Sequence, residues 1–366
     1  MTPASAETLD RLSDPHVISS LDPLGMMRLV CDFPKQCARA AAISAQPRTV
    51  RLRRSQFQNV VLTGLGGSAI GADFARALAE EAGTVPVVVN RDYTLPAFTG
   101  LSTLVICLSY SGNTEETLAA YAAARAKGAT VAAVTSGGEL KQRADIDGAI
   151  CIVVPGGQPP RSATGYMLFP MLSLLEEAGI FTHSLQAQIE EALATLVTER
   201  DELGPETPLA SNPAKRLAAV LFGRLPVIYG SQSWKGAVAI RWKGQFNENA
   251  KEAAFANVLP EQNHNEILAW VCALRQASHW SVVFLRDEHE ESLSPRIAKR
   301  VEVTRALIEH AARVHEVRSK GSGLLARMLY LAHYADYVTV YLAYMNGVCP
   351  TDIASIDTLK RELAAV

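Results

Sequence analysis

Five short apolar runs at 59–63, 86–90, 103–108, 130–134 and 149–154 recur with alanine-rich stretches at 69–81, at 115–127 and near Leu140 among them. Runs of this length read as strands and the stretches as helices, and strands alternating with helices argue for a parallel sheet covered on both faces. A second alternation follows, with strands at 225–229, 253–258, 281–285 and 314–317 and helices at 236–249, 295–312, 323–345 and 353–363. The expectation is an α/β chain of two doubly wound domains, each with a mainly parallel sheet flanked by helices. A chain of 366 residues, at roughly 150 residues per domain, agrees with two. The first 45 residues read as helical, with Asp22 as an N-cap, and further helices are expected at 165–177 and 183–203. Gly204-Pro205-Glu206-Thr207-Pro208, followed by Ser211-Asn212-Pro213, has the composition of a linker. The expected divisions are a helical arm at 1–45, a first domain at 46–180, a helix and linker at 181–212, and a second domain at 213–366.

Charge and composition narrow the partners. Thirty-five basic residues against 37 acidic ones give a net charge of −2 with the two signs interspersed, so no extended field invites nucleic acid or an anionic membrane. The longest apolar stretches, such as 167–175, are about half of the roughly 20 residues a membrane helix needs. Six cysteines without a CxxC pair read as buried thiols of a reducing compartment, and the acidic N-terminus lacks the pattern of a secretion signal. A cytoplasmic protein is expected.

The chemistry begins where strands hand over to helices. Gly64-Leu65-Gly66-Gly67-Ser68 follows the first strand and opens a helix, where glycines let backbone approach a ligand and the amides of a helix start face an anion. Gly64-x-Gly66-x-x-Ala69 fits a dinucleotide pattern, but the second strand ends in Asn90-Arg91-Asp92 without a clean ribose-binding acid about 20 residues on. A tight turn without ligand fits this motif equally well. Ser109-Tyr110-Ser111-Gly112-Asn113-Thr114 follows the third strand and opens another helix. Adjacent parallel strands present both loops at their C-terminal ends, and neutral donors without Lys or Arg suit a compact phosphate monoester. Gly66, Gly67, Ser68, Ser109, Ser111 and Thr114 are therefore the candidate phosphate-binding residues, with Thr114 also expected to cap its helix.

LSYSGNTEET and GLGGSAIG resemble the sugar isomerase (SIS) domain family. Four further segments, 155–163 with Arg161, RWKGQFNENAKEAAF, LPEQNHNEI and the C-terminal IDTLKREL, are similar to the bifunctional phosphoglucose/phosphomannose isomerases. The resemblance spans nearly the whole chain in the same order. It implies reversible aldose–ketose isomerisation of hexose 6-phosphates through a cis-enediolate, without cofactor or metal. It also implies Glu248 as the base moving a proton between C1 and C2, and His264 as the ring-opening residue contributed across a homodimer. Arg161 would stabilise the enediolate and Lys360 would act near the ring oxygen.

Each of these residues has a plainer reading. Glu248 stands three residues from Lys251, the spacing of a solvated pair, and a lone His is more often structural. Arg161 after two prolines would pass for a surface arginine, and Lys360 suits the last turn of an exposed helix. For His264, the flanking Asn263 and Asn265 offer partners able to fix its tautomer. Isomerisation chemistry nevertheless asks for this set: a positioned carboxylate, a permanent positive charge near the enediolate, and shelter from water. No HExxH motif and no paired cysteines indicate a metal site. A sugar-phosphate sensor without catalysis is the main alternative, and a dehydrogenase rests on the glycine turn alone. In the family, Gly347-Val348-Cys349-Pro350 more often carries an acid before the proline, so the consequence of Cys349 for substrate choice is open.

Overall fold

The computed structural model describes residues 5–48, 50–52, 57–231, 233–272 and 274–363. The stretch read for a secretion signal thus begins outside the described residues. In chain order the elements are α1 (Ala6–Asp10), α2 (Pro15–Leu21), α3 (Met26–Cys31), α4 (Phe33–Ser44), β1 (Asn59–Gly64), α5 (Gly66–Ala82), β2 (Val87–Asn90), β3 (Thr103–Ser109), α6 (Glu115–Ala126), β4 (Thr130–Thr135), α7 (Gly138–Ile146), β5 (Ile150–Val153) and α8 (Thr164–Glu177). There follow α9 (Gln186–Leu203), α10 (Pro213–Leu221), β6 (Leu225–Ser231), α11 (Trp234–Gln245), β7 (Phe255–Leu259), α12 (Ile267–Cys272), α13 (Leu274–Ala277), β8 (Trp280–Arg286), α14 (Glu290–Leu293), α15 (Pro295–Ile308), β9 (Arg313–Arg318), α16 (Leu324–Asn346) and α17 (Ala354–Leu363).

These elements gather into two compact units. One comprises Asp32–Leu196 with Gly321–Met328, and the other Met1–Cys31, Val197–Lys320 and Leu329–Val366. The first unit holds a parallel sheet in the order β2-β1-β3-β4-β5. Its central strands are apolar throughout because both faces are covered: all seven residues of β3 are buried. Val60 pairs with Val87 on one side and Leu104 on the other, so β1 is flanked directly by β2 and β3. Val61, Val105, Val131 and Ala133 pack with Leu118, Tyr121 and Leu140 into one core under α6 and α7.

The second unit repeats the pattern with order β7-β6-β8-β9, again all parallel. Its core joins Val227, Tyr229, Val282 and Phe284 to Trp270, Val301 and Ile308. All nine expected strands are present within a residue or two. Helices α12–α14, of six residues or fewer, escaped the sequence reading, and so did α10, although Asn212 before Pro213 and the stripe Ala214, Leu217, Ala218 and Leu221 mark it as a helix. The Gly204–Pro213 stretch is tied down: Asn212 is fully buried, its amide donates to the Leu203 and Gly204 carbonyls, and its Oδ1 accepts from the Lys215 amide to cap α10. Asp22 does cap a helix, accepting the Met26 and Met27 amides at the head of α3. The six cysteines are free thiols, and contrary to the expectation of burial Cys272 is exposed, on a helix whose outer face meets solvent.

Candidate active site

In the first unit the chain leaves β1, returns through β2 on one side, and crosses to β3 on the other. The crevice between the β1 and β3 ends is therefore the switch point where open α/β sheets bind ligands. Gly66 and Gly67 open α5 there, Gly66 with φ +51°. The Ser68 amide already bonds the Leu65 carbonyl, so the Gly66 and Gly67 amides are the helix's outward donors. Ser68 Oγ, buried, accepts the Tyr110 amide at 3.1 Å and so ties the two loops together. Gly64 has no room for a side chain, since a Cβ would stand 2.6 Å from the Leu108 carbonyl oxygen.

The hydroxyl loop is folded on itself more than its sequence suggests. Ser109 Oγ is fully buried, pairs with Thr114 Oγ1 at 2.8 Å and accepts the Gly112 amide at 3.1 Å, while Ser111 Oγ accepts the Asn113 amide at 3.2 Å. Thr114 stands at the N-cap position of α6, but its side chain makes no capping bond, because its hydroxyl faces Ser109 instead. The expectation of a Thr114 cap is corrected accordingly. A hydroxyl that accepts still keeps its own proton to donate, and Ser111, Thr114 and the first amides of α6 retain that capacity. The loop is braced from the β4–α7 turn and the start of α7: Ser136 Oγ donates to the Tyr110 carbonyl at 2.6 Å, and Asn113 Oδ1 accepts the Glu139 amide at 3.0 Å.

Arg161 lies on a single 3₁₀ turn, Pro160–Ser162, in this same unit and is 3% exposed. It is no surface arginine. The turn sits directly on the start of α5: a Cβ on Gly67 would come within 2.8 Å of the Arg161 backbone nitrogen and Cα. Gln36 of α4 holds the turn from behind, donating to the Ser162 carbonyl at 2.8 Å and accepting the Gly165 amide at 2.9 Å. No local pattern marked Gln36 beyond its being a polar residue in a helix of buried neighbours.

Glu248 belongs to the other unit. There α11 does not run on to residue 249 as expected but widens at Phe246–Ala250 into a π turn, a distortion common at functional sites, and ends on Lys251 with φ +54°. Glu248 is half-buried on this turn. The turn is pinned to α16 by Asn249 Nδ2 donating to Thr339 Oγ1 at 3.0 Å and Asn346 Nδ2 donating to the Ala250 carbonyl at 3.0 Å. Lys251 Nζ bonds the backbone carbonyls of Glu248 and Pro350. Thr339 and Asn346, about ninety residues further along, carried no signal in the sequence.

His264 ends a 3₁₀ turn, Glu261–His264, and is exposed. The flanking asparagines do not orient its ring. Asn263 Nδ2 goes to Gln262 Oε1 and Thr304 Oγ1, both at 2.8 Å, and Asn265 bonds Glu261 Oε1 and the Glu266 amide. What fixes the segment is Glu266, whose carboxylate accepts from Tyr229 Oη and from Asn257 Nδ2 at 2.6 Å, with Trp270 Nε1 donating to the same Tyr229 oxygen at 2.7 Å. Lys360 sits in the last turn of α17, which has no buried residue. Phosphate-loop residues and Arg161 thus share one unit, and Glu248, His264 and Lys360 the other. Among the described residues no group of three His, Cys, Asp or Glu side chains could hold a metal ion, and no helix is long and apolar enough to cross a membrane.

Residues 54–165 match the SIS domain, and residues 210–363 match the bacterial phospho-glucose isomerase C-terminal SIS domain. A protein of Caldicellulosiruptor bescii named a bifunctional phosphoglucose/phosphomannose isomerase is 41% identical over 342 residues, covering 93% of this chain and 99% of its own. One of the same name from Thermoplasma acidophilum is 38% identical over 85% of this chain and 92% of its own. A glucose-6-phosphate isomerase-like protein from Thermus thermophilus shares the fold at a TM-score of 0.62 and 20% identity, over 96% of this chain and 98% of its own.

Proposed function

The chain belongs to the bifunctional phosphoglucose/phosphomannose isomerase family, and we propose that it interconverts glucose 6-phosphate, mannose 6-phosphate and fructose 6-phosphate with the site residues assigned below. It is an isomerase of hexose phosphates. The observation that carries the assignment is the hydroxyl-lined crevice at the first sheet's switch point, with the buried Arg161 turn packed against the same helix start. The Gly66 and Gly67 amides and the Ser68, Ser111 and Thr114 hydroxyls hold the phosphate. Ser109, whose oxygen is occupied within the loop, positions the others.

His264 moves the proton that opens the ring, and Lys360 contacts the ring oxygen. Glu248 then takes the proton from C2 of the open aldose as O1 gathers charge, and Arg161 faces the enediolate with a charge that never titrates. Returning the proton to C1, with the hydroxyl proton passing from O2 to O1, completes the ketose. The reaction is an internal hydrogen shift with no net oxidation, so it needs no external electron carrier. Glucose and mannose phosphates differ only at C2, the carbon that becomes planar in the enediolate, which is why one base serves both. His264 is taken to act across a homodimer; its exposure, without a ring hydrogen bond among the described residues, supports this. A cytoplasmic setting is part of the reading, supported by six free thiols.

The test is turnover of both aldose phosphates by the native chain and by Glu248→Gln, together with uptake of solvent deuterium into the product. Loss of the base should lower kcat by about 10² to 10⁴ and abolish the exchange while phosphate binding remains. Unchanged turnover in the variant would overturn the assignment, and tight binding without turnover in the native chain would favour a sensor.

A further inference from the structure

The second sheet has the same switch point as the first, between the ends of β6 and β8, yet it is filled. Lys235, second residue of α11, bonds Glu290 Oε1 of α14, and Arg286, last residue of β8, bonds Glu290 Oε2. All three are almost wholly enclosed, at 4%, 1% and 3% exposure. Arg286 also meets Glu316 at 3.4 Å and Glu291 at 3.3 Å, both more exposed than Glu290. In the first unit the equivalent link is Ser68 Oγ to the Tyr110 amide, a neutral bond between the same two loops that brings no charge of its own.

We propose that the β6/β8 crevice is a second anion site for a tetrahedral oxyanion such as phosphate, held shut by the chain's own Glu290 carboxylate standing where the anion would sit. The proposal rests on the reading of the first crevice as a phosphate site only for the comparison. Its grounds lie in the second unit alone: an enclosed ammonium from the first turn of α11 and an enclosed guanidinium from the end of β8 converge on both oxygens of one carboxylate. Buried ion clusters are seldom retained for stability, since packed apolar residues often serve as well. A carboxylate held in place by the fold has an effective concentration far above that of millimolar free anions, so the site stays closed in the native chain. Where the first crevice supplies neutral donors and lets the substrate bring the charge, the second brings both signs itself and leaves the chain one open phosphate site.

Calorimetric titration of the full chain with inorganic phosphate at fixed ionic strength tests this. The native chain is expected to take one phosphate and Glu290→Gln two, with the second site lost again in Glu290→Gln/Lys235→Met. One phosphate in both native chain and Glu290→Gln overturns the proposal. None in the native chain but one in Glu290→Gln upholds it while sinking the first-crevice reading. If Glu290→Gln folds poorly, its yield of folded chain is read against phosphate or chloride. A saturable rise with phosphate in Glu290→Gln that exceeds the rise in Glu290→Gln/Lys235→Met, where only the first crevice can bind, supports the second site, and equal rises in the two variants overturn it.

Discussion

Single atoms set the geometry of the crevice. The missing side chain of Gly67 lets the Arg161 turn approach α5, and a methyl group there would meet three backbone atoms, each 2.8 Å away, none of which can rotate aside. Gly67→Ala should therefore part the helix start from the turn, at a cost of about 1–3 kcal/mol, raising KM for hexose phosphate and lowering kcat together. Gly244, inside α11 with nothing within 4 Å of its would-be Cβ, is the contrast. Gly244→Ala should stabilise by about 0.5–1 kcal/mol. Thermal unfolding and steady-state kinetics of both variants read the difference, and equal effects would mean that backbone proximity at Gly67 is unimportant. A glycine that opens a helix after a strand was legible in the sequence. The atoms it admits were not, because they belong to residues 160 and 161.

Elements decide the state of the buried acid. His333 of α16 is wholly enclosed, its Nε2 2.8 Å from the Val30 carbonyl of α3 and its Nδ1 3.0 Å from Glu199 Oε2 of α9. A carbonyl only accepts, so Nε2 carries the proton, and a neutral ring must then receive one at Nδ1 from a protonated Glu199. Burial pushes Glu199 well above the usual carboxylate range, with Asp336 and Glu202 adding to it and Lys320 opposing. Burial likewise lowers His333 to about 3, assisted by Arg241 and opposed by the bond to Val30. For Glu199 the folded chain keeps a proton the unfolded chain gives up, so stability falls as pH rises from about 4.5 through the folded value. For His333 the unfolded chain takes a proton the folded site refuses, so stability falls as pH drops from 6.5 towards about 3. Glu199→Gln, whose amide can still donate to Nδ1, should remove the first slope, at most about 1.4 kcal/mol per pH unit, and keep the second. Denaturant melts from pH 5 to 9 measure it. A large loss at pH 7 would mean a charged pair instead. The elements themselves were legible, since period and turn residues announce strands and long helices locally. The π turn under Glu248 was not, because Thr339 and Asn346 hold it from ninety residues away.

At the scale of the whole molecule, one architecture occurs twice with different occupants of its switch point: hydroxyls and open amides in one unit, a sealed charge cluster in the other. The proposed dimer makes a further demand. If His264 serves the partner's site, Glu248→Gln and His264→Asn chains, each inactive alone, should regain about a quarter of native turnover when co-refolded in equal amounts, since half of a random mixture would be mixed dimers with one intact site. No recovery would confine the site to one chain.

The sequence by itself determined the alternation of strands and helices, the doubling of the sheet, and the order of motifs that marks the family. Those rest on local periodicity and on residue types whose backbone preferences act within a few positions. Tertiary structure alone decided that Arg161 is enclosed against Gly67 with Gln36 behind it, and that Ser109 and Thr114 bond each other rather than a helix end. It also decided that Glu266, not the asparagines beside His264, anchors that turn. These are contacts between residues far apart along the chain, and whether a polar atom is spent on a neighbour or left for a substrate depends on what the fold brings to within about 3 Å of it.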